Sequence, residues 1–306
     1  MTNPLSTPPP PAAPPMAIPD PLKGILLMVF AMLVIPVNDG IAKALTARYP
    51  VAEIVWFRYT FHFLLLLPLI VPRHGWGSLI PARGLWHVAR GAFTVACTFF
   101  FFLSLARMPM ANTLALIFAY PLIVTALSPW VLGETVGLRR WLAVIAGMAG
   151  TAIIVRPGTD VFQWWSLLGL AAALCNALYW VITRKVTGSA PPLVGAAYAA
   201  LTGAVVVPFV LPLGWAMPTL VDVALLGVMG AIAAGYHILM VKALDYTPAS
   251  TLAPFAYAEM INATTIGYFV FGDFPDAWTW TGIAIVIGAG IYISLRERRK
   301  RGPAAG

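Results

Sequence analysis

Charge is what this chain has least of. Only 10% of its 306 residues are Asp, Glu, Lys or Arg, against about 25% in an ordinary soluble domain. Sixty per cent are hydrophobic and the mean hydropathy is +0.85. A water-soluble fold is excluded, because such a chain has too little polar surface to cover a core. Cysteine is scarce as well. Cys97 and Cys175 each fall inside an apolar run, too few for a disulfide framework or a thiolate metal centre, and they read as packing residues. The four histidines, His62, His74, His87 and His237, have no ligand spacing. HExxH, GxSxG and glycine-rich phosphate loops are all missing, so nothing here points to an enzyme, a cofactor or a metal.

What the chain has instead is apolar runs of spanning length. Pro, Gly and charge clusters divide it into ten, at about 22–45, 51–72, 84–106, 110–132, 138–155, 165–186, 191–213, 220–243, 249–272 and 278–295. About 20 residues cross a bilayer as a helix, and the loops are short enough that successive helices pack antiparallel. The expected fold is an all-α integral membrane protein of ten transmembrane helices, with no soluble domain attached.

The ten spans repeat. At one constant shift Leu105 falls on Leu244, Pro109 on Pro248, Gly133 on Gly272 and Trp141 on Trp280. Each half holds five spans, an odd number, so the second enters the bilayer from the opposite side. The expected halves are 22–155 and 165–295. Inverted repeats belong to carriers whose solute sits near the midplane between them.

Residues 1–21 hold nine prolines and no apolar run. They read as a disordered or polyproline tail, not as a cleavable signal, which makes the first helix an uncleaved signal-anchor. Residues 296–306 form a basic tail. With the N-terminus inside, thirteen Lys and Arg lie on the cytoplasmic side and four (Lys43, Arg48, Arg107 and Arg156) on the other. That bias places both termini in the cytoplasm. The net charge of +8 is thus a topology signal, with anionic lipid as the contact it suits, and no nucleic-acid partner is expected.

In this order and spacing the residues resemble the drug/metabolite transporter superfamily, in its EamA branch. The segments that carry the resemblance are Asp39-Gly40-Ile41-Ala42-Lys43, PVAEIVWFRY at 50–59, MPMANTLALIFAYPL at 108–122, LGE at 132–134, TPASTLAPFAYAE at 247–259 and FGD at 271–273. The first half departs from the second at Arg58, whose counterpart is Tyr198 when Pro68 is set on Pro208. The resemblance implies a secondary carrier in a bacterial inner membrane, with helices one to four and six to nine around a cavity. It also implies helices five and ten at the edge, where a homodimer forms. The Asp39 and WFRY variant is most similar to riboflavin and S-adenosylmethionine importers, with riboflavin the favoured solute. An exporter of amino acids or drugs is the alternative, and a channel or membrane enzyme a remote one.

A charge at the bilayer centre costs about 2.5–3.5 kcal/mol on insertion scales, so each one needs a partner or a job. Glu259 lies mid-span after Pro254, which would loosen the helix, with Asn262 on the same face, and reads as a substrate or proton contact or as an ion pair holding the ninth helix to a neighbour. Arg58 and His62 share a face of helix two and read as an anion clamp or as a pair with Glu259 or Asp39. Pro36-Val37-Asn38-Asp39-Gly40 reads as an interrupted helix, with Asp39 and Lys43 pairing at i,i+4. Asn176, Tyr179 and Trp180, with Tyr236 and His237, would suit a flat heteroaromatic solute. Arg90 reads as snorkelling from the end of helix three. Glu134 and Asp273 read as N-terminal caps of helices five and ten. The expected partners are therefore a small-molecule solute, the lipid bilayer, a coupling proton or counter-substrate, and a second copy of the chain.

Overall fold

The computed structural model describes residues 20–79, 83–133, 136–160, 162–210 and 214–300. The order is α1 (Pro21–Leu45), α2 (Val51–His74), α3 (Gly84–Leu105), α4 (Met110–Ile117), α5 (Tyr120–Leu132), α6 (Leu138–Val155), α7 (Trp165–Val186), α8 (Pro192–Val210), α9 (Leu220–Tyr246), α10 (Ala249–Leu252), α11 (Glu259–Phe271) and α12 (Ala277–Lys300). Among the described residues, nine helical segments are long and apolar enough to cross a membrane. The tenth crossing is assembled from α10, a 3-10 segment over Ala253–Ala258, and α11. The fold is thus all-α, as read from the sequence. The Pro-rich residues 1–19 and the last six lie outside the described residues. Helix α12 continues to Lys300, so the first five residues assigned to the basic tail are helical.

Local chemistry sets the ends. The Asp20 side chain accepts from the Lys23 N–H, with Pro21 in the first turn of α1, where a missing N–H is harmless. Thr219 caps α9 through the N–H of Asp222. Gly133 and Gly272 end α5 and α11 in the left-handed region, at φ 67° and 72°, a conformation that glycine adopts without a Cβ clash. These two are equivalent under the shift that relates the halves, so the repeat extends to backbone conformation.

The halves interleave. Helix α1 packs on α9 and α11, α2 on α8 and α9, α3 on α7 and α8, and α6 on α12. The contact of α6 with α12 is a backbone-to-backbone approach. A Cβ on Gly150 would stand 2.8 Å from Ile285 Cγ2 and 3.0 Å from the Gly282 carbonyl. The edge helices therefore spend one face on each other inside a single chain. Overpacking such a seam costs about 1–3 kcal/mol. Gly150→Leu should lower the Tm in detergent by several degrees. Gly227→Leu, with nothing within 4 Å of its Cβ, should leave it unchanged.

The break expected in helix one is absent, the loosening expected at Pro254 is present, and a further break falls in the fourth span. Helix α1 is unbroken across Pro36. The Asn262 side-chain amide donates to the Leu33 carbonyl beside that proline, supplying from a neighbouring helix a bond for backbone the ring disturbs. The breaks fall between α4 and α5 and between α10 and α11. Around the first, Pro121 has no N–H to give, and the chain tightens to Ala119 N–H on Leu116 O and Leu122 N–H on Ala119 O, both 3.1 Å. Around the second, Pro254 lies in the 3-10 segment. The two breaks are related by the same shift: Phe118, Ala119 and Tyr120 match Tyr257, Ala258 and Glu259. Phe118 and Tyr257 touch edge-on, with ring centroids 5.0 Å apart. The repeats thus meet through equivalent residues at mid-depth.

Candidate functional site

Mid-depth is where the polar residues gather. Tyr120 and Glu259 each open the second half of a broken helix. Trp180 stacks on Tyr120 at 6.3 Å with planes 14° apart, and Tyr179 meets Trp180 edge-on at 5.4 Å. The Glu259 carboxylate is within electrostatic reach of Tyr120, Tyr236 and Asp39. It is half-buried and has no hydrogen bond or ion pair among the described residues. That combination, a carboxylate at a helix break with aromatic rings around it and no cation on it, is costly unless a ligand or proton answers it.

A second cluster beside it is internally balanced. Arg58 Nε donates to Asn38 Oδ1 at 3.3 Å, and Asn38 Nδ2 donates to Asp39 Oδ1 at 2.9 Å. Asn38 is fully buried and Asp39 is 8% exposed. The amide carries the pairing, so Arg58 meets Asp39 through Asn38 and does not reach Glu259. His62 faces His237 with ring centroids 4.9 Å apart. The His237 Nδ1–H donates to the Ala233 carbonyl at 2.9 Å, while both ring nitrogens of His62 are buried without a partner among the described residues. Asn176 is half-buried on α7 and makes no hydrogen bond among the described residues. Asn262 has its amide nitrogen engaged on α1, as above.

Three expectations need correction. Asp39 and Lys43 do not pair. Lys43 reaches across to Asp273 at 2.7 Å and to the Met108 carbonyl at 2.8 Å, because a partner on another helix end outcompetes one on its own helix. Asp273 consequently does not cap the last helix. Asp276 does so, accepting from the Thr279 N–H at 2.8 Å. Glu134 lies outside the described residues. Arg90 does not snorkel: it is buried, 7% exposed, and donates to the Gly195 carbonyl. Sequence reasoning passed over Tyr120 and Tyr257; their place one repeat away from Glu259 and Phe118 was the available signal.

Ion pairs join one half to the other on the face away from the chain ends. Besides Lys43 and Asp273, Arg48 Nη2 lies 2.9 Å from Asp222 Oδ1, and the Tyr49 hydroxyl donates to Asp222 Oδ2 at 2.7 Å. Glu53, in the first turn of α2, accepts from the Ala216 N–H at 3.1 Å. Arg156 pairs with Asp276. The Arg156 hydrogen bond, backed by the Thr279 N–H, holds the Asp276 carboxyl well below the usual carboxylate range. A depressed folded-state value means that this stabilisation is complete above the unfolded value near 3.9 and is lost as pH falls through the folded one. Asp276→Asn should therefore lower the Tm at pH 7, and the difference from the native chain should shrink once the pH is taken below about 3.9.

Comparison with known proteins adds a separate line of observation. The sequence model of the EamA-like transporter family matches residues 22–156 and again 163–296. The S-adenosylmethionine uptake transporter of Rickettsia prowazekii is 28% identical over 91% of this chain and 94% of its own length. The riboflavin transporter of Vibrio cholerae is 30% identical over 92% and 95%. The pseudopaline exporter of Pseudomonas aeruginosa is 26% identical over 90% and 97%. One solved crystal structure superposes with a TM-score of 0.62 at 18% identity, covering 92% of this chain and 99% of that one, a likeness of fold.

Proposed function

Since this chain belongs to the EamA-like transporter family and is therefore a multi-pass membrane transporter, we propose that it carries a cationic, nucleoside-like metabolite of the S-adenosylmethionine kind. The observation that carries this reading is Glu259, half-buried at a helix break and without a cation among the described residues. A sulfonium or ammonium group answers that carboxylate, and the faces of Tyr120 and Trp180 attract both a cation and a flat base. Riboflavin, the solute favoured by the sequence resemblance, brings no positive charge to meet it. The relatives named for S-adenosylmethionine uptake agree with the charge argument; those named for riboflavin supply the competing solute.

Transport proceeds by alternating access. The two repeats rock about the contact of Phe118 with Tyr257, and the breaks at α4–α5 and α10–α11 are the places where backbone yields. Solute binding shifts the balance of inward- and outward-open forms only by its differential affinity for them. The thirteen-to-four distribution of basic residues supports cytoplasmic termini in a bacterial inner membrane. The interhalf ion pairs then latch the extracytoplasmic face. Asn38, Asp39 and Arg58 form a charge-balanced cluster beside Glu259. His62 and His237 sit next to it as the candidates for a coupling proton.

Thermal stabilisation of the purified protein tests the solute directly. A ligand at a hundred times its Kd stabilises the folded state by about 2.7 kcal/mol. S-adenosylmethionine should raise the Tm and riboflavin should not. A shift with riboflavin alone would replace the cationic solute by the neutral one.

A further inference from the structure

Arg90 is a buried charge that has no opposite charge on it among the described residues, and the function proposed above leaves it without a task. Its Nη2 donates to the Gly195 carbonyl. Its Nε is buried with no hydrogen-bond partner among the described residues. The guanidinium carbon stands 5.8 Å from the Tyr179 ring. This niche exists because residue 195 is glycine: a Cβ there would come within 2.7 Å of Nη2 and 3.2 Å of Nη1. His87 is near enough to act on it electrostatically, and so is His237. Neither supplies a negative charge. A buried guanidinium that holds one carbonyl and leaves a donor unused is a preorganised anion clamp.

Its placement relative to Glu259 gives the clamp a meaning. Arg90 lies six residues into α3, about 9 Å from the helix start at 1.5 Å per residue. Glu259 lies ten residues into the ninth span, which starts at the same face and includes a stretched 3-10 segment, so it sits roughly 8 Å deeper. Tyr179, with Trp180 and Tyr120, forms an aromatic wall running from one to the other. Arg90 and Glu259 make no ion pair with each other among the described residues, and a ligand with both charges satisfies the two at once.

We infer that the solute is a zwitterion whose carboxylate is held by Arg90 and whose onium or ammonium group is held by Glu259, with its ring along the Tyr179–Trp180–Tyr120 wall. This rests on the cationic-solute reading and narrows it to amino-acid-bearing molecules. Arg90 then sets specificity for the anionic end, whereas Glu259 sets it for the cationic end.

The test compares S-adenosylmethionine with its decarboxylated form, which keeps the sulfonium, the amine and the base and lacks only the carboxylate. Binding is measured on the full-length purified protein by isothermal titration, with riboflavin as a third probe. The native protein should prefer the carboxylate-bearing compound by about tenfold or more. Arg90→Gln should reduce that preference to less than about twofold by weakening S-adenosylmethionine alone. Arg90→Lys, which keeps the charge and a donor for Gly195, should retain part of the preference and guards against a Gln variant that fails to fold. Equal binding of the two compounds by the native protein would overturn the inference, as would a parallel loss of both in Arg90→Gln. Binding of decarboxylated S-adenosylmethionine alone would overturn the zwitterion but leave the cationic solute standing. Binding of riboflavin alone, or of none of the three, would overturn both.

Discussion

Glu259→Gln should abolish uptake while leaving the fold intact or slightly firmer. A hydrogen bond to a charged group is worth about 1.5–3 kcal/mol, so losing the carboxylate charge should raise the Kd for a cationic solute by roughly 10- to 100-fold. No ion pair is broken, because Glu259 has none among the described residues. Removing a charge from a low-dielectric site lowers a desolvation cost, so the Tm without ligand should hold or rise. The two readouts move in opposite directions, which separates a solute contact from a structural one. A structural carboxylate would lose stability and affinity together. Titration calorimetry and thermal unfolding on the same preparation make the comparison.

Lys43→Met should favour the outward-open form. Lys43 joins the end of α1 to Asp273 of the other half and to the Met108 carbonyl of its own, and its side chain is only 14% exposed. Charged hydrogen bonds of this kind, partly screened at a membrane surface, contribute about 1–2 kcal/mol, equivalent to a 5- to 30-fold change in the ratio of the two forms. A cysteine placed at Ile117, half-buried beside the break, in a background lacking Cys97 and Cys175 reports the change. An impermeant thiol reagent added outside right-side-out vesicles should label it several-fold faster when Lys43 is Met. Unchanged labelling would mean that the pairs at Asp222 and Asp276 hold this face without Lys43.

The architecture was legible because membrane folding is written in run length and punctuation. Ten apolar stretches, one constant shift between the halves and an odd number of spans in each give a ten-helix inverted repeat without reference to any contact. The site was legible only in part. Glu259 stood out because a mid-span carboxylate is expensive wherever it lies. Partners were not legible, since they depend on which helix ends meet: Lys43 had Asp39 one turn away in sequence, yet Asp273, 230 residues on, is its neighbour. The same reason hid the Asn38 bridge between Arg58 and Asp39. Pro36 looked like a break because a proline removes a backbone donor, but α1 runs on through it, with Asn262 from another helix donating to the nearby Leu33 carbonyl. Pro254 lies at a break that its place before Glu259 suggested and Pro121 at one that was not expected, so composition alone does not tell a tolerated proline from a breaking one. Arg90 was misjudged from its distance to a helix end, because the niche cleared by Gly195 is a property of packing.

Exchange in proteoliposomes bears most directly on the account as a whole. Vesicles holding the purified protein and preloaded with unlabelled S-adenosylmethionine are diluted into a trace of the labelled compound. Label should accumulate with time, none of it with Glu259→Gln, and excess riboflavin should not compete. Vesicles that exchange riboflavin and leave S-adenosylmethionine outside would contradict it.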